Sequence, residues 1–246
     1  MAKTARKKDI HEIYQDIFRG GMPKLITSDI DRDRFYSDYV NTYLERDIKD
    51  LSQVGKLSEF YDFLVLLAAR TAQELKYDEL AKAIGVSAPT VKNWVSILER
   101  SGVIVILRPY ASTLTNRLVK TPKLYFMDTG LCAYLCRWPT AETLENGAMD
   151  GAFLETYVVS EIIKSYYNAG KTPDLYYYRD IDKKEIDLLI EKGDKLYPIE
   201  VKKAKNPAHA DKNFDVLKVF KKQIEPGVIL CMSDELFPYS RNTWFC

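Results

Sequence analysis

The stretch EIDLLIEKGDKLYPIEVKK, residues 185–203, constrains the fold of this chain more than any other segment. Two segments rich in Ile, Leu and Val flank Gly193-Asp194, which is the sequence signal of a β-hairpin with a two-residue turn. A register closed at this turn predicts an apolar face made of the cross-strand pairs Ile186–Val201, Leu188–Ile199 and Ile190–Tyr197. A slip by one residue would bury the charged side chains instead, so the register is well specified.

The same register predicts a charged face, with Asp187 opposite Glu200 and Glu185 opposite Lys202. Directly opposed Cβ atoms lie about 4.5–5.5 Å apart, so two carboxylates there either raise a pKa or share a cation. Carboxylate oxygens suit Mg²⁺ or Mn²⁺. Lys202, adjacent to Glu200 on that face, would orient a water or offset transition-state charge in phosphodiester hydrolysis. The alternative is structural, namely solvated carboxylates and a surface Glu185–Lys202 ion pair.

Residues 147–246 are predicted to form an α/β domain around this hairpin. A helix follows Gly147, and the strands after it are 174–180, 185–191 and 195–203. A lysine-rich helix over 211–224 and a buried strand over 227–232 complete the order α-β-β-β-α-β. Because the crossover helix joins strands that should run parallel, the sheet is expected to be mixed.

Residues 55–146 are predicted to form a winged helix-turn-helix domain. A buried helix over 57–75 precedes a short helix (78–84), a turn at Gly85 and a second helix capped by Ser87. Two strands, 103–108 and 123–128, would form the wing. DNA contact is expected through side chains of the second helix and the wing that can bind phosphates or base edges. Lys123 is also expected on the wing. These DNA-binding candidates are Thr90, Lys92, Asn93, Arg108, Arg117 and Lys120.

Residues 1–54 are predicted to be a helical N-terminal segment, with a long helix capped at Ser28 or Asp29 and ending at Gly55. No G-x-x-x-x-G-K-S/T loop occurs, so no ATP site is expected in this chain. With 36 Lys+Arg and 35 Asp+Glu, the net charge is close to zero, so it neither supports nor excludes binding to nucleic acid. The four cysteines lack zinc-site spacing, and the basic N-terminus lacks an apolar signal region. A cytoplasmic location without membrane insertion is therefore expected.

Asp187 followed by Glu200-Val201-Lys202 resembles the motif of the PD-(D/E)XK nuclease superfamily, whose core has a similar element order. The resemblance implies a restriction-endonuclease-like fold and an acidic residue on the preceding helix that completes the metal site. Glu155 is that residue, and Glu161 is a weaker candidate because it lies on another side of the helix.

A second resemblance covers most of the chain. YVNTYLERDI, LYFMDTGLCAYL, GAFLETYVVSEI, YYYRDIDKKEIDLLIE and YPIEVKK are similar to the C-terminal region of predicted AAA+ family ATPases of bacteria and archaea. That resemblance implies that residues 1–54 are the tail of a missing ATPase half, and that an ATPase domain or another protein is a partner.

Together these patterns predict a DNA-binding protein with a Mg²⁺- or Mn²⁺-dependent nuclease-like site, in a chain of mixed α+β or α/β class. Asp187, Glu200 and Glu155 are the expected metal ligands, with Lys202 as the fourth catalytic residue. Two alternatives stay open: a catalytically inactive module that binds protein or DNA, and a winged-helix transcription regulator.

Overall fold

The computed structural model describes residues 8–43, 57–111, 113, 121–233, 237–240 and 243–245. Its helices follow from capping side chains and the spacing of apolar residues; at the start of the first helix, Asp9 and Glu12 form a reciprocal capping box. The helices are α1 (Ile10–Arg19), α2 (Pro23–Thr27), α3 (Arg32–Tyr43), α4 (Leu57–Ala68), α5 (Tyr77–Ile84), α6 (Ala88–Arg100), α7 (Thr129–Leu135), α8 (Ala141–Glu145) and α9 (Asp150–Asn168).

Ten strands in the described residues form one mixed sheet in the order β1-β3-β2-β4-β5-β6-β8-β10-β9, with β7 beside β6. The strands are β1 (Gln73–Glu74), β2 (Ile104–Pro109), β3 (Lys123–Phe126), β4 (Asp174–Arg179), β5 (Glu185–Lys192), β6 (Lys195–Val201), β7 (Gln223–Ile224), β8 (Gly227–Leu230), β9 (Phe237–Ser240) and β10 (Thr243–Phe245). The mixed α+β class and the N-terminal helices are as predicted.

The N-terminal helices pack tightly against α7. The Asp128 carboxylate caps α7 by accepting from the backbone N–H of Leu131 at 2.7 Å. The same carboxylate accepts from the hydroxyl of Tyr36 in α3 at 2.7 Å and from the N–H of Gly21 at 2.8 Å. Residues of α1 and α3 thereby share one core with α4, α6 and α7. The predicted boundaries at 54/55 and 146/147 stay predictions.

The helix-turn-helix follows the sequence closely. Gly85 ends α5 in the left-handed conformation, with φ of 78°, and Ser87 caps α6 by accepting from the N–H of Thr90 at 3.2 Å. β2 and β3 form the predicted antiparallel pair. The helix predicted over 57–75 ends earlier, at Ala68, because the chain turns and Gln73 and Glu74 pair with β3 as β1.

Strands β2 and β3 continue into the sheet formed by residues 147–246. β2 pairs in parallel with β4, matching Arg108 with Tyr176 and Pro109 with Tyr177, and the N–H of Tyr110 donates to the carbonyl of Tyr177 at 2.6 Å. The sequence patterns did not predict this junction. It puts β3 and β5 in one sheet with β2 and β4 between them, and the Lys123 side chain of β3 reaches Glu185 at the start of β5.

Two further predictions are wrong in detail. The long N-terminal helix begins at Arg32, where Asp31 accepts from the N–H of Arg34, and its predicted end lies outside the described residues. The lysine-rich helix over 211–224 is only a short 3₁₀ helix, Phe214–Val219, followed by β7. A 3₁₀ turn brings residues i and i+3 to one side, which is how Phe214 and Leu217 are both buried. The crossover after it does make β6 and β8 parallel, as expected.

Candidate carboxylate–lysine site

The predicted hairpin forms, with Gly193 at φ of 60° in its turn and Leu188 paired with Ile199. The ladder reaches no further than this pair. Beyond it the Asp187 side chain, through Oδ2, accepts from the backbone N–H of Val201 at 2.9 Å. The predicted direct opposition of Asp187 and Glu200 is therefore replaced by a side-chain cap on the neighbouring strand.

A register irregularity in β5 explains the change. Tyr176 pairs with Leu189 and Tyr178 with Ile186, so two steps along β4 span three along β5. The extra residue breaks the side-chain alternation, and Ile186 packs in a different cluster from Leu188. The predicted single apolar face was therefore wrong for Ile186. The sequence carries no glycine or proline there that would have signalled it.

The structure brings Asp187, Glu200 and Lys202 together. The Lys202 ammonium lies 2.6 Å from Oε1 of Glu200 and 3.6 Å from Oδ2 of Asp187. The backbone N–H of Lys202 donates to the carbonyl of Leu230 at 2.9 Å, which ties this end of the hairpin to β8. Asp187 and Glu200 are only 8% and 6% exposed, whereas the Lys202 side chain is 39% exposed. Two buried carboxylates thus share one partly accessible ammonium.

Glu155 projects from α9 toward the same region, but its partners come from the wing. Its Oε1 accepts from the Lys123 ammonium at 3.0 Å and from the Tyr125 hydroxyl at 2.6 Å. Lys123 is not on the wing surface as expected; it is 3% exposed and also pairs with Glu185 at 2.5 Å. The predicted Glu185–Lys202 pairing is accordingly wrong. Glu161 pairs with Lys164 on the surface, away from this cluster.

Lys123 and Tyr125 are the site residues that sequence reasoning did not assign. They alternate at i and i+2 in β3, so both point to the same face of the sheet. Because they alternate with Leu124 and Phe126, the sequence pattern indicated an exposed polar face and gave no signal for their burial. Their burial follows from the sheet junction between β2 and β4.

The cluster holds more negative charge than its lysines neutralise. Burial, and then the charge of Asp187, raise the pKa of Glu155 and that of Glu200 to about 7. Burial alone would lower the pKa of Lys123 and of Lys202, but the surrounding carboxylates raise both above the usual lysine range. The carboxylates therefore compete for protons or another cation, and the lysines stay charged.

These residues fit a divalent cation only in part. Within the described residues, no group of three or more His, Cys, Asp or Glu side chains is arranged to hold a metal ion. Glu200 nonetheless has a buried Oε2 atom with no hydrogen-bond partner among them. Such an oxygen can accept a hydrogen bond from a water or bind a cation. Glu200 therefore keeps one oxygen available, whereas Oε1 of Glu155 is already held by Lys123 and Tyr125.

The DNA-binding candidates lie apart from this cluster. Lys92 and Asn93 are exposed on α6 and Thr90 is half-buried at its start, while Arg108 is exposed on β2. The Lys92 ammonium lies 5.6 Å from the ring centroid of Tyr77. Arg117 and Lys120 fall outside the described residues, and the DNA-binding role of the others stays a prediction.

Residues 10–142 match the family model described as Domain of unknown function (DUF8612), which is more than half of the chain. The chain belongs to the DUF8612 family. Residues 150–246 match a second model, Domain of unknown function (DUF4143). The carboxylate–lysine site of this DUF8612 protein draws on both matches, because Lys123 and Tyr125 lie in the first and Glu155, Asp187, Glu200 and Lys202 lie in the second.

Two relatives of this DUF8612 chain come from mycobacteria. It is 28% identical over 193 residues to the uncharacterized proteins Mb2031c of Mycobacterium bovis and Rv2008c of Mycobacterium tuberculosis. These matches cover 77% of the chain and 43% of each relative, so the chain spans less than half of their length.

Solved structures similar to this DUF8612 chain match it with low sequence identity and low TM-scores. Two mutants of S. aureus MepR, one of them bound to an oligodeoxyribonucleotide, match at 18% and 19% identity with TM-scores of 0.22 and 0.23, covering 55% of this chain and 77% and 78% of theirs. Protein VC1899 from Vibrio cholerae matches at 15% identity with a TM-score of 0.24, covering 93% of this chain and 52% of its own. In the described part of the chain, no helix has the length and apolar character needed to span a membrane.

Proposed function

We propose that this chain is a DNA-binding protein whose carboxylate–lysine site hydrolyses phosphodiester bonds with the help of Mg²⁺ or Mn²⁺. The observation that carries the proposal is the grouping of buried Asp187 and Glu200 around the Lys202 ammonium, with one Glu200 oxygen lacking a partner. The resemblance to PD-(D/E)XK nucleases and the exposed Lys92, Asn93 and Arg108 also support it.

Asp187 and Glu200 would hold the cation, which would neutralise charge on the bound phosphate. In the reaction a water oxygen bonds to phosphorus, one bridging P–O bond breaks, and the proton that the water loses ends on the released hydroxyl. Lys202 reaches the exposed side of the cluster, so its ammonium can hydrogen-bond the water or a phosphoryl oxygen. Because Asp187 accepts from the backbone of β6, it also holds Glu200 and Lys202 in place.

DNA is proposed to reach the site through the winged helix. Helix α6 carries its exposed polar side chains on the side away from the core, and phosphate contacts by Lys92 and Arg108 would supply most of the affinity. We further propose that an ATPase domain normally accompanies this chain, in line with the AAA+ resemblance and with relatives of more than twice the matched length.

The second candidate is a binding module without catalysis. It is favoured by Glu155, the expected third ligand, which is held by Lys123 and Tyr125. Such a protein would bind DNA or a partner protein, and the ion pairs of the cluster would only hold β3, α9 and the hairpin together.

Incubation of the purified chain with labelled DNA and MnCl₂ separates the two candidates. The catalytic proposal predicts cleavage by wild type and a loss of roughly 100-fold or more in Lys202→Met, with DNA binding by fluorescence anisotropy unchanged. The control is Lys171→Met, an exposed lysine beyond the far end of α9. Absence of cleavage by wild type, or equal cleavage by Lys202→Met, would exclude the catalytic role and leave the binding module.

A further inference from the structure

Lys123 is a buried cation inside a carboxylate cluster, and it reaches there from the winged-helix strand β3. Its ammonium lies 3.0 Å from Oε1 of Glu155 and 2.5 Å from Oε1 of Glu185, and 5.5 Å from the ring centroid of Tyr177. The side chain is 4% exposed. A buried ammonium is tolerated only when its charge is fully paired, and these two carboxylates pair it.

One carboxylate oxygen of Glu155 is consequently occupied by groups of β3. Its Oε1 atom receives the Lys123 ammonium and, at 2.6 Å, the Tyr125 hydroxyl. A divalent cation at the same oxygen would lie within a few ångströms of the ammonium, and like charges at that distance repel strongly in a buried site. Lys123 therefore disfavours a metal bond at Oε1 of Glu155, the third carboxylate of the site implied by the superfamily resemblance.

The other two carboxylates are in the opposite situation. Glu200 Oε2 is buried and has no hydrogen-bond partner among the described residues, and the Lys202 ammonium sits on Oε1 at 2.6 Å. The Lys202 side chain is 39% exposed and that of Lys123 is 4% exposed, so an entering cation displaces the Lys202 ammonium more readily than that of Lys123. An added cation is thus favoured beside Glu200 over Oε1 of Glu155.

We propose that Lys123 is a built-in counter-cation that removes Glu155 from the metal-binding set. The cluster then accepts one divalent cation, held by Asp187 and Glu200, and Lys123 determines that number and the ligand set. Lys123 acts as a positioning residue, because it holds Glu155 rather than touching the substrate. The inference rests on the proposed function for the choice of Mg²⁺ or Mn²⁺ as the ion.

Titration of the full chain with MnCl₂, followed by calorimetry and by the electron paramagnetic resonance of free Mn²⁺, tests this directly. Wild type is expected to bind one Mn²⁺. Glu200→Gln should weaken binding at least about tenfold because it removes a ligand, whereas Glu155→Gln should leave the Kd within about threefold of wild type. Lys123→Met should tighten binding about tenfold or more, because Glu155 is then released to the ion. Lys171→Met serves as the matched lysine control.

Each outcome decides between the proposals. Two ions bound by wild type, or a loss in Glu155→Gln equal to that in Glu200→Gln, would overturn the role of Lys123 while keeping the proposed metal site. No Mn²⁺ binding by either wild type or Lys123→Met would overturn the metal-dependent function itself. If Lys123→Met does not fold, as judged by circular dichroism, the Glu155→Gln and Glu200→Gln pair still decides the ligand set.

Discussion

Glu155 and Glu200 are buried carboxylates whose proton affinity is set by their neighbours. Burial and the charge of Asp187 hold both pKa values near 7, against a usual value near 4.5. Between those values the folded chain binds more protons than the unfolded chain, so the free energy of unfolding falls as pH rises. Glu155 and Glu200 therefore make the cation-free protein less stable at neutral than at mildly acidic pH.

We predict that, in EDTA, the urea midpoint of unfolding decreases as pH rises from about 5 to about 7, and levels off above the folded pKa. Glu200→Gln should reduce that decrease, because it removes one of the two titrating groups. Glu161→Gln, an exposed carboxylate on the same helix as Glu155, should leave the wild-type profile unchanged. A wild-type midpoint that stays constant or rises through this pH range would contradict the assignment of raised pKa values.

At the scale of elements, the contact between the N-terminal helices and α7 depends on two glycines. A Cβ atom on Gly130 would lie 2.2 Å from the Tyr36 hydroxyl and 2.5 Å from the carbonyl oxygen of Arg19. A Cβ on Gly20 would lie 2.1 Å from the same hydroxyl and 2.6 Å from Oδ1 of Asp128. α1, α3 and α7 therefore meet at van der Waals distance only because these side chains are missing.

Gly130→Ala is predicted to destabilise the chain by about 2 kcal/mol or more, because the backbone of Arg19 must shift. Replacing a glycine inside a helix by alanine ordinarily stabilises the protein by about 0.5–1 kcal/mol. A loss of stability in Gly130→Ala would therefore show close packing at this position. Gly151→Ala in α9, where a Cβ would meet nothing within 4 Å, is the matched control and should be neutral or stabilising. Chemical denaturation of both variants measures this, and equal effects would show that the helices do not pack this closely.

Local patterns predicted the elements better than they predicted how elements meet. The cap at Ser87, the turn at Gly85 and the Leu188–Ile199 register depend on neighbouring residues, and all three are observed. The β2–β4 junction and the irregularity in β5 depend on residues distant in sequence, and no pattern indicated them. The grouping of Asp187, Glu200 and Lys202 was predictable because all three lie in one hairpin. The partners of Glu155 were not, because Lys123 and Tyr125 lie in β3, distant in sequence.

At the scale of the whole molecule, strands β1–β3 and strands β4–β10 form one sheet with the carboxylate cluster at their junction. β2 covers the edge of β4, and β3 supplies Lys123 and Tyr125 to Glu155. An uncovered edge strand exposes unpaired backbone groups and invites aggregation. The part of the chain matched by DUF4143 is therefore completed by the part matched by DUF8612.

A truncated chain of residues 147–246 is predicted to aggregate or to unfold without cooperativity, while the full chain elutes as a discrete species. It would lose the hydrogen bond from Tyr110 to Tyr177 and would leave Glu155 buried without its lysine. Size-exclusion chromatography and thermal melts followed by circular dichroism make the comparison. A soluble fragment with a cooperative melt at the full-length temperature would show that the two parts are independent.

The proposed metal site is tested most directly by a crystal structure of the chain soaked in MnCl₂, with anomalous scattering used to locate the ion. We expect one Mn²⁺ bonded to oxygens of Asp187 and Glu200, with Glu155 still hydrogen-bonded to Lys123 and Tyr125. No anomalous density between Asp187 and Glu200, in crystals whose site is open to solvent, would contradict it.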